Sequence, residues 1–288
     1  MNRKPLAALA AALIGVALTG CSPTPANTGS TSTSPGATTP ATSATGVTLV
    51  NPGTLTVCSN PPFDPMEVTD SSGAIVGFDI DVMQALADTL GVKMNVISTD
   101  FAQITSGASF AAKKCDIGAS AISITDARKE ALTFSVPYFD ATQALMAKTG
   151  SGITGLADLK GKKLVVQSDT TGADYAKQYA DQNGYSVVYF DDVGAGLSSV
   201  LSGQNDAALM DNAIVRKFVA DNPSTAVVTE FQTGEQYGYA AGKDDNGVAM
   251  INLVNQVLAK ADSDGTYLKL YQKWIDPKAT SAGLPKAG

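Results

Sequence analysis

The chain has 288 residues, with 20 Lys and Arg against 27 Asp and Glu, no histidine, and a formal charge of −7 at neutral pH. An acidic surface repels a phosphate backbone, so nucleic acid is excluded as a partner. With no histidine and no thiol cluster the sequence gives no basis for a metal site, and it calls for no cofactor.

The N-terminus reads as an export signal. Asn2-Arg3-Lys4 is a basic start, and Leu6 to Leu18 is an apolar run too short to span a bilayer comfortably. Leu18-Thr19-Gly20-Cys21 then matches the box at which bacterial lipoproteins are cleaved and lipidated on cysteine, here Cys21. The expected location is extracytoplasmic, lipid-anchored to the cell membrane. From Ser22 to Gly46 the chain is Ser, Thr, Pro, Ala and Gly with one Asn, which cannot build a core. As a flexible tether it spans about 25–30 Å by square-root scaling.

From Val47 onward the chain is long enough for two modest domains, and no later segment is a continuous apolar run of membrane-spanning length. Thr54 to Cys58 reads as a first strand. Asp79 to Leu90 carries Ile80, Met83, Leu86 and Leu90 at helical spacing, with Gly91 as its stop and a strand from Lys93 to Ile97 after it. Phe110 to Lys114 finishes another helix, and Cys115 to Ala119 reads as a short buried strand parallel to the first. In that arrangement Cys58 lies near the end of one strand and Cys115 at the start of the other. At about 3.3 Å of rise per residue they stand too far apart to bond, so both are expected to be free, buried core residues.

The stretch Gly118 to Phe139 holds the most chemistry. Ser120, Ser123 and Thr125 offer hydroxyls, and Arg128 offers a planar fork that pairs with both oxygens of a carboxylate. In an open α/β sheet the ligand crevice lies outside the carboxyl ends of the strands, where these residues fall. A Ser/Thr-rich turn followed by a surface arginine is the plainer reading of the same residues. Downstream, Gly196 to Leu201 leads through Gly203 into Asp206 to Asp211, the same helix-then-strand device with a carboxylate at its end. Asp211 also stands where a helix from Asn212 to Val219 would be capped. An arginine on one half and a carboxylate on the other suit a zwitterion, whose burial without partners costs several kcal/mol per charge.

The order of landmarks resembles the amino-acid-binding solute receptors of ABC importers, extracellular solute-binding proteins of family 3. The resemblance rests on Pro61-Pro62-Phe63, Gly77 to Asp81, Ser123 to Arg128, Asp158 to Lys163, Gln167 to Gly172, and Asp264 to Tyr267 with Lys273-Trp274. It implies the type II periplasmic-binding-protein fold: α/β, two lobes, each a mostly parallel sheet flanked by helices, joined by a two-strand hinge. The expected boundaries are 1–21 for the signal, 22–46 for the tether, 47–141 plus 236–280 for lobe 1 and 142–235 for lobe 2. A free L-amino acid is clamped between the lobes and delivered to a membrane permease by a monomeric receptor. Thr171 is implied as a ligand contact and Phe101 as an aromatic wall, with Phe63 among the contacts.

Departures from the family pattern bear on specificity. Asp169 stands where many relatives carry a glycine, and Asn60 where an aromatic residue is common. Asn60, Gln167 and Asp169 point to a polar amino acid, with arginine or lysine ahead of glutamine. The carboxylates Asp64, Glu67 and Asp70 read as a solvated loop, and Gly194-Ala195-Gly196 lacks the dinucleotide fingerprint. Two other functions stay open at this point: a dehydratase-like enzyme on the same fold, with Glu67 or Glu235 as a general acid, and a receptor that signals occupancy to a membrane protein. Binding without catalysis is the reading preferred.

Overall fold

A computed structural model describes residues 46–285. The signal segment, Cys21 and the tether up to residue 45 lie outside the described residues. The chain opens the first lobe with β1 (Thr54–Ser59), a small hairpin of β2 (Val68–Thr69) and β3 (Ile75–Val76), then α1 (Phe78–Leu90) and β4 (Lys93–Ser98). The apolar stripe of α1 buries Ile80, Met83 and Leu86, and Gly91 ends the helix at φ 66°, where a side chain would strain the backbone. Two short helices, α2 (Phe101–Thr105) and α3 (Ala108–Ala111), lead to β5 (Ile117–Gly118), α4 (Asp126–Lys129) and β6 (Leu132–Phe134).

The chain then crosses on the long strand β7 (Phe139–Lys148) into the second lobe. There follow β8 (Lys163–Gln167), α5 (Thr171–Asn183), β9 (Ser186–Phe190), α6 (Val193–Ser202), β10 (Ala207–Asp211) and α7 (Asn212–Asp221). It returns along β11 (Thr225–Tyr237) to β12 (Ala240–Gly242) and closes with α8 (Asp245–Ser263) and α9 (Thr266–Trp274) against the first lobe.

Each lobe is built on a five-stranded sheet, ordered β4-β1-β5-β12-β6 in the first and β11-β7-β10-β8-β9 in the second. In the first, β1 runs parallel to β4 and β5, while β12 is antiparallel to β5 and β6. In the second, β8 runs parallel to β9 and β10, and β7 is antiparallel to β10 and β11. The paired strands β7 and β11 carry both crossings between lobes. Their lobe-1 end is fixed by aromatic packing: Tyr138 stacks on Tyr239 with centroids 4.1 Å apart, and Phe139 stacks on Tyr237 at 5.7 Å.

The cysteines overturn the expectation from strand geometry. Cys58 and Cys115 form a disulfide, with Cα atoms 5.8 Å apart. The strand assumed from Cys115 to Ala119 is only Ile117–Gly118. The chain bends at Asp116, whose carboxylate accepts from the amides of Val50 and Thr56 at 2.6 and 2.7 Å. That bend carries Cys115 back toward β1 instead of extending away along it. The bond closes a loop of 57 residues in sequence and, in the chain-entropy picture, is worth about 4 kcal/mol. Replacing both cysteines with alanine should lower stability to urea by about 2–4 kcal/mol. Alkylation of denatured, unreduced protein should label neither Cys58 nor Cys115, and labelling of both would contradict the pairing.

Candidate ligand-binding site

A narrow cavity lies between the two sheets at the carboxyl ends of β1, β5, β8 and β10. Its first-lobe wall includes Asn60, Phe63, Phe101, Ser120, Ser123 and Arg128. Its second-lobe wall includes Gln167, Thr170, Thr171, Val193, Met210 and Asp211. Of the ligand contacts expected from sequence, Thr125 and Asp169 do not line this cavity: Thr125 caps a helix instead, and Asp169 turns away. Its side chain faces an outer groove beside Asp100 and Asp191, while its backbone, at φ 59°, turns a carbonyl inward.

Arg128 is placed by a cap. Thr125 precedes α4, and its hydroxyl accepts from the Arg128 amide at 3.2 Å, which sets the helix turn that projects the guanidinium. Nη1 donates to the Ser123 carbonyl at 2.9 Å and Nη2 to the Asp169 carbonyl of the opposite lobe at 3.0 Å. The guanidinium also lies 5.2 Å from the Phe101 ring centroid, so Phe101 acts as the wall against which the fork is laid. Two carbonyls and an aromatic face hold the fork, and its remaining N–H groups are free to meet an anion. Burial pulls the guanidinium below its ordinary value, with Asp211 and Glu235 acting against that shift.

Asp211 reaches the cavity from the other lobe. It stands at the N-cap position of α7, yet its side chain makes no capping hydrogen bond. Instead Oδ1 accepts from Gln143 Nε2 at 2.5 Å and Oδ2 accepts from the Tyr237 hydroxyl. Burial, and next the Glu235 charge, push its pKa up to about 7, against the opposing pull of Tyr237, Gln143 and Arg128. The carboxylate is therefore held ready beside the cavity, short of a cationic partner.

Sequence reasoning missed two members of this arrangement. Glu235 was weighed only as an acid for catalysis, but its Oε2 accepts from Ser123 Oγ at 2.9 Å and Thr171 Oγ1 at 2.6 Å. Gln143 on β7 was not singled out, yet its amide bridges Asp211 and Glu235, the latter at 3.2 Å. Because Nε2 must face two carboxylates, Oε1 turns toward Gly172, where a Cβ would stand 2.6 Å from it. Gly172 is thus required by close approach. Both residues sit inside the long strands β7 and β11, away from any helix cap of the kind that marks Arg128 and Asp211.

At the far end of the cavity Gln167 Nε2 donates to Asn60 Oδ1 at 2.9 Å and to the Asp191 carbonyl at 3.1 Å. Asn60 and Gln167 belong to different lobes, as do Arg128 and Asp169, and Lys217 and Asp64 at 3.5 Å on the rim. The structure is consequently in a closed form. Chemically, the cavity offers a guanidinium at one side, a carboxylate at the other, hydroxyls between them and an amide pair with an aromatic ring beyond. Among the described residues no group of acidic or thiol side chains is placed to hold a metal ion.

Residues 55–277 match the family described as bacterial extracellular solute-binding proteins, family 3. Among curated proteins, the chain is 30% identical over 235 residues to a probable histidine-binding protein of Neisseria gonorrhoeae, covering 78% of this chain and 84% of the other. It is 34% identical over 210 residues to the ABC transporter glutamine-binding protein GlnH of Bacillus subtilis, covering 71% and 74%. Among solved structures, an ancestral arginine-binding protein bound to arginine superposes with a TM-score of 0.72 at 37% identity, covering 77% of this chain and 98% of that one. The α/β architecture of two lobes around a cleft is shared with these proteins, and the chain belongs to the bacterial extracellular solute-binding proteins, family 3.

Proposed function

We propose that the protein binds a free L-amino acid between its lobes and delivers it to the permease of an ABC importer. The observation that carries this reading is the placement of Arg128 and Asp211 on opposite lobes at one cavity, with Ser123 and Thr171 between them. Arg128 meets the α-carboxylate and Asp211 the α-ammonium, so both ligand charges are compensated only when the lobes shut. Closure and recognition are then one event.

Ser120 and Ser123 supply the hydroxyls on the first lobe, and Thr171, at the first turn of α5, those on the second. Phe63, Phe101 and Gln167 surround the ligand side chain, while Asp169 acts through its carbonyl on Arg128. Charge favours a basic side chain. Arg128, Asp211 and Glu235 together leave one excess negative charge, which a neutral zwitterion does not change and a cationic side chain cancels. The relatives named for histidine, glutamine and arginine agree with a polar ligand.

Lobe 1 is taken as 47–141 plus 236–280 and lobe 2 as 142–235, with the hinge where β7 and β11 cross. The receptor works as a monomer, lipidated on Cys21 and held above its permease by the tether. Its role is binding, not catalysis. A thermal-shift panel of the common L-amino acids on refolded, ligand-free protein tests the reading. Ligand at about 100 times its dissociation constant adds roughly 2.7 kcal/mol, and the largest shift is expected with arginine or lysine. A flat response across the panel would overturn it.

A further inference from the structure

Behind the cavity wall lies a second pair of acids that the binding scheme leaves unused. Glu67, just before β2, and Asp79, in the first turn of α1, are both completely buried. Glu67 Oε1 is 2.6 Å from the Ser120 hydroxyl, and Glu67 Oε2 has no hydrogen-bond partner. Ser120 Oγ accepts in addition from the Asn60 amide at 3.0 Å, and Ser120 lines the cavity. Asp79 accepts from the Ala121 amide at 2.9 Å and from the Tyr239 hydroxyl at 3.2 Å. It thereby fixes Ala121, next to Ser120, at φ 46°.

Among the described residues, the groups facing Glu67 contain no cation. They are Asp79 from α1, Tyr138 at the start of the crossing to β7, Tyr237 at the end of β11, and Tyr239 beside β12. Burial first, and then the Asp79 charge, raise the Glu67 pKa well above its ordinary value, while burial brings Asp79 only to about 6. Ionised Glu67 would leave one oxygen of a buried charge without a donor, which costs more than an orphaned carbonyl oxygen of the neutral acid.

A hydroxyl has one proton and two lone pairs. If Glu67 is ionised, Ser120 spends its proton on Oε1 and keeps only a lone pair for the cavity. If Glu67 is neutral with its proton on Oε1, Ser120 receives two bonds, from Glu67 and from the Asn60 amide, and its own proton is released toward the cavity. We propose that Glu67 is a positioning residue that acts as a carboxylic acid, donating to Ser120 Oγ so that the Ser120 hydroxyl becomes a hydrogen-bond donor to an oxygen of the bound amino acid. This rests on the amino-acid reading above, but the state of Glu67 can be measured without ligand.

Infrared difference spectra of the full chain at pH 7, wild type minus Glu67→Gln, should show the carbonyl stretch of a protonated carboxyl. A carboxylate band in its place would overturn the proposal, whatever the protein binds. The second arm is calorimetric titration with L-arginine, and with L-glutamine if arginine gives no heat. Wild-type affinity should fall by about tenfold once rising pH ionises Glu67, because a hydrogen bond to a charged ligand group is lost. Glu67→Gln, whose amide still donates to Ser120, should bind without that fall, and Ser120→Ala should bind about tenfold more weakly than Glu67→Gln at every pH. A merely structural Glu67 would lower the melting temperature of Glu67→Gln and leave the two pH profiles parallel, which would contradict the proposal. If no amino acid of the thermal-shift panel binds, the amino-acid reading fails while the infrared result still decides the state of Glu67.

Discussion

Arg128→Ala is expected to weaken amino-acid binding about 30-fold to several thousand-fold, or about 2–5 kcal/mol at 1.4 kcal/mol per tenfold. The loss has two sources. The ligand carboxylate loses its buried cation, and the Asp169 carbonyl of the second lobe loses the donor that ties it to the first. Arg128→Lys should recover little, since an ammonium cannot hold the Ser123 and Asp169 carbonyls as a fork and still face the ligand. The fold itself should tolerate both changes, because α4 keeps its Thr125 cap through the backbone amide. Titration calorimetry on variants with unchanged circular dichroism checks this, and wild-type affinity in Arg128→Ala would remove the guanidinium from the site.

Asp211→Asn is expected to weaken binding by a similar order while sparing the empty protein. Asparagine keeps the shape and an acceptor but removes the charge that meets the ammonium. In this structure the Asp211 pKa is pushed up to about 7, above its unfolded value, so the stability its neutral form contributes is lost as pH rises from the ordinary carboxylate range through about 7. The neutral asparagine escapes that loss, and the melting temperature of empty Asp211→Asn should equal or exceed wild type at pH 8. Binding runs the other way. An ammonium requires the ionised carboxylate, so below about pH 7 ligand binding must release a proton and affinity falls. Between pH 7.5 and 5.5 the wild-type dissociation constant should rise on the order of tenfold. Asp79 titrates in the same window, but it is shared by both proteins, so the difference between wild type and Asp211→Asn isolates Asp211. Parallel pH profiles would mean that the ammonium is held elsewhere.

Much of this site was legible in the sequence because its parts lie at element ends. The cap and fork of Thr125 and Arg128 fall three residues apart, and of the helix-to-strand passages ending at Ser120 and Asp211 the second carries its own glycine stop, Gly203. What stayed hidden depends on strand length and on side chains within strands. The disulfide was excluded by treating five residues from Cys115 as extended, when only Ile117 and Gly118 pair and Asp116 bends the chain. Gln143 and Glu235 become visible only when β7 and β11 are set beside each other, since their partners lie 68 and 112 residues away. Glu67 looked like one of three solvated loop carboxylates. The loop folds inward instead, and Glu67 pairs with Ser120 53 residues on.

The central claim is that two lobes close on one amino acid through a cation on the first and an anion on the second. Small-angle scattering on refolded protein, before and after adding saturating arginine or the amino acid giving the largest thermal shift, tests it most directly. Wild type should compact on ligand addition, while Arg128→Ala and Asp211→Asn, at that same ligand concentration, should compact far less. An unchanged radius of gyration in wild type, or full compaction in both variants, would contradict the account.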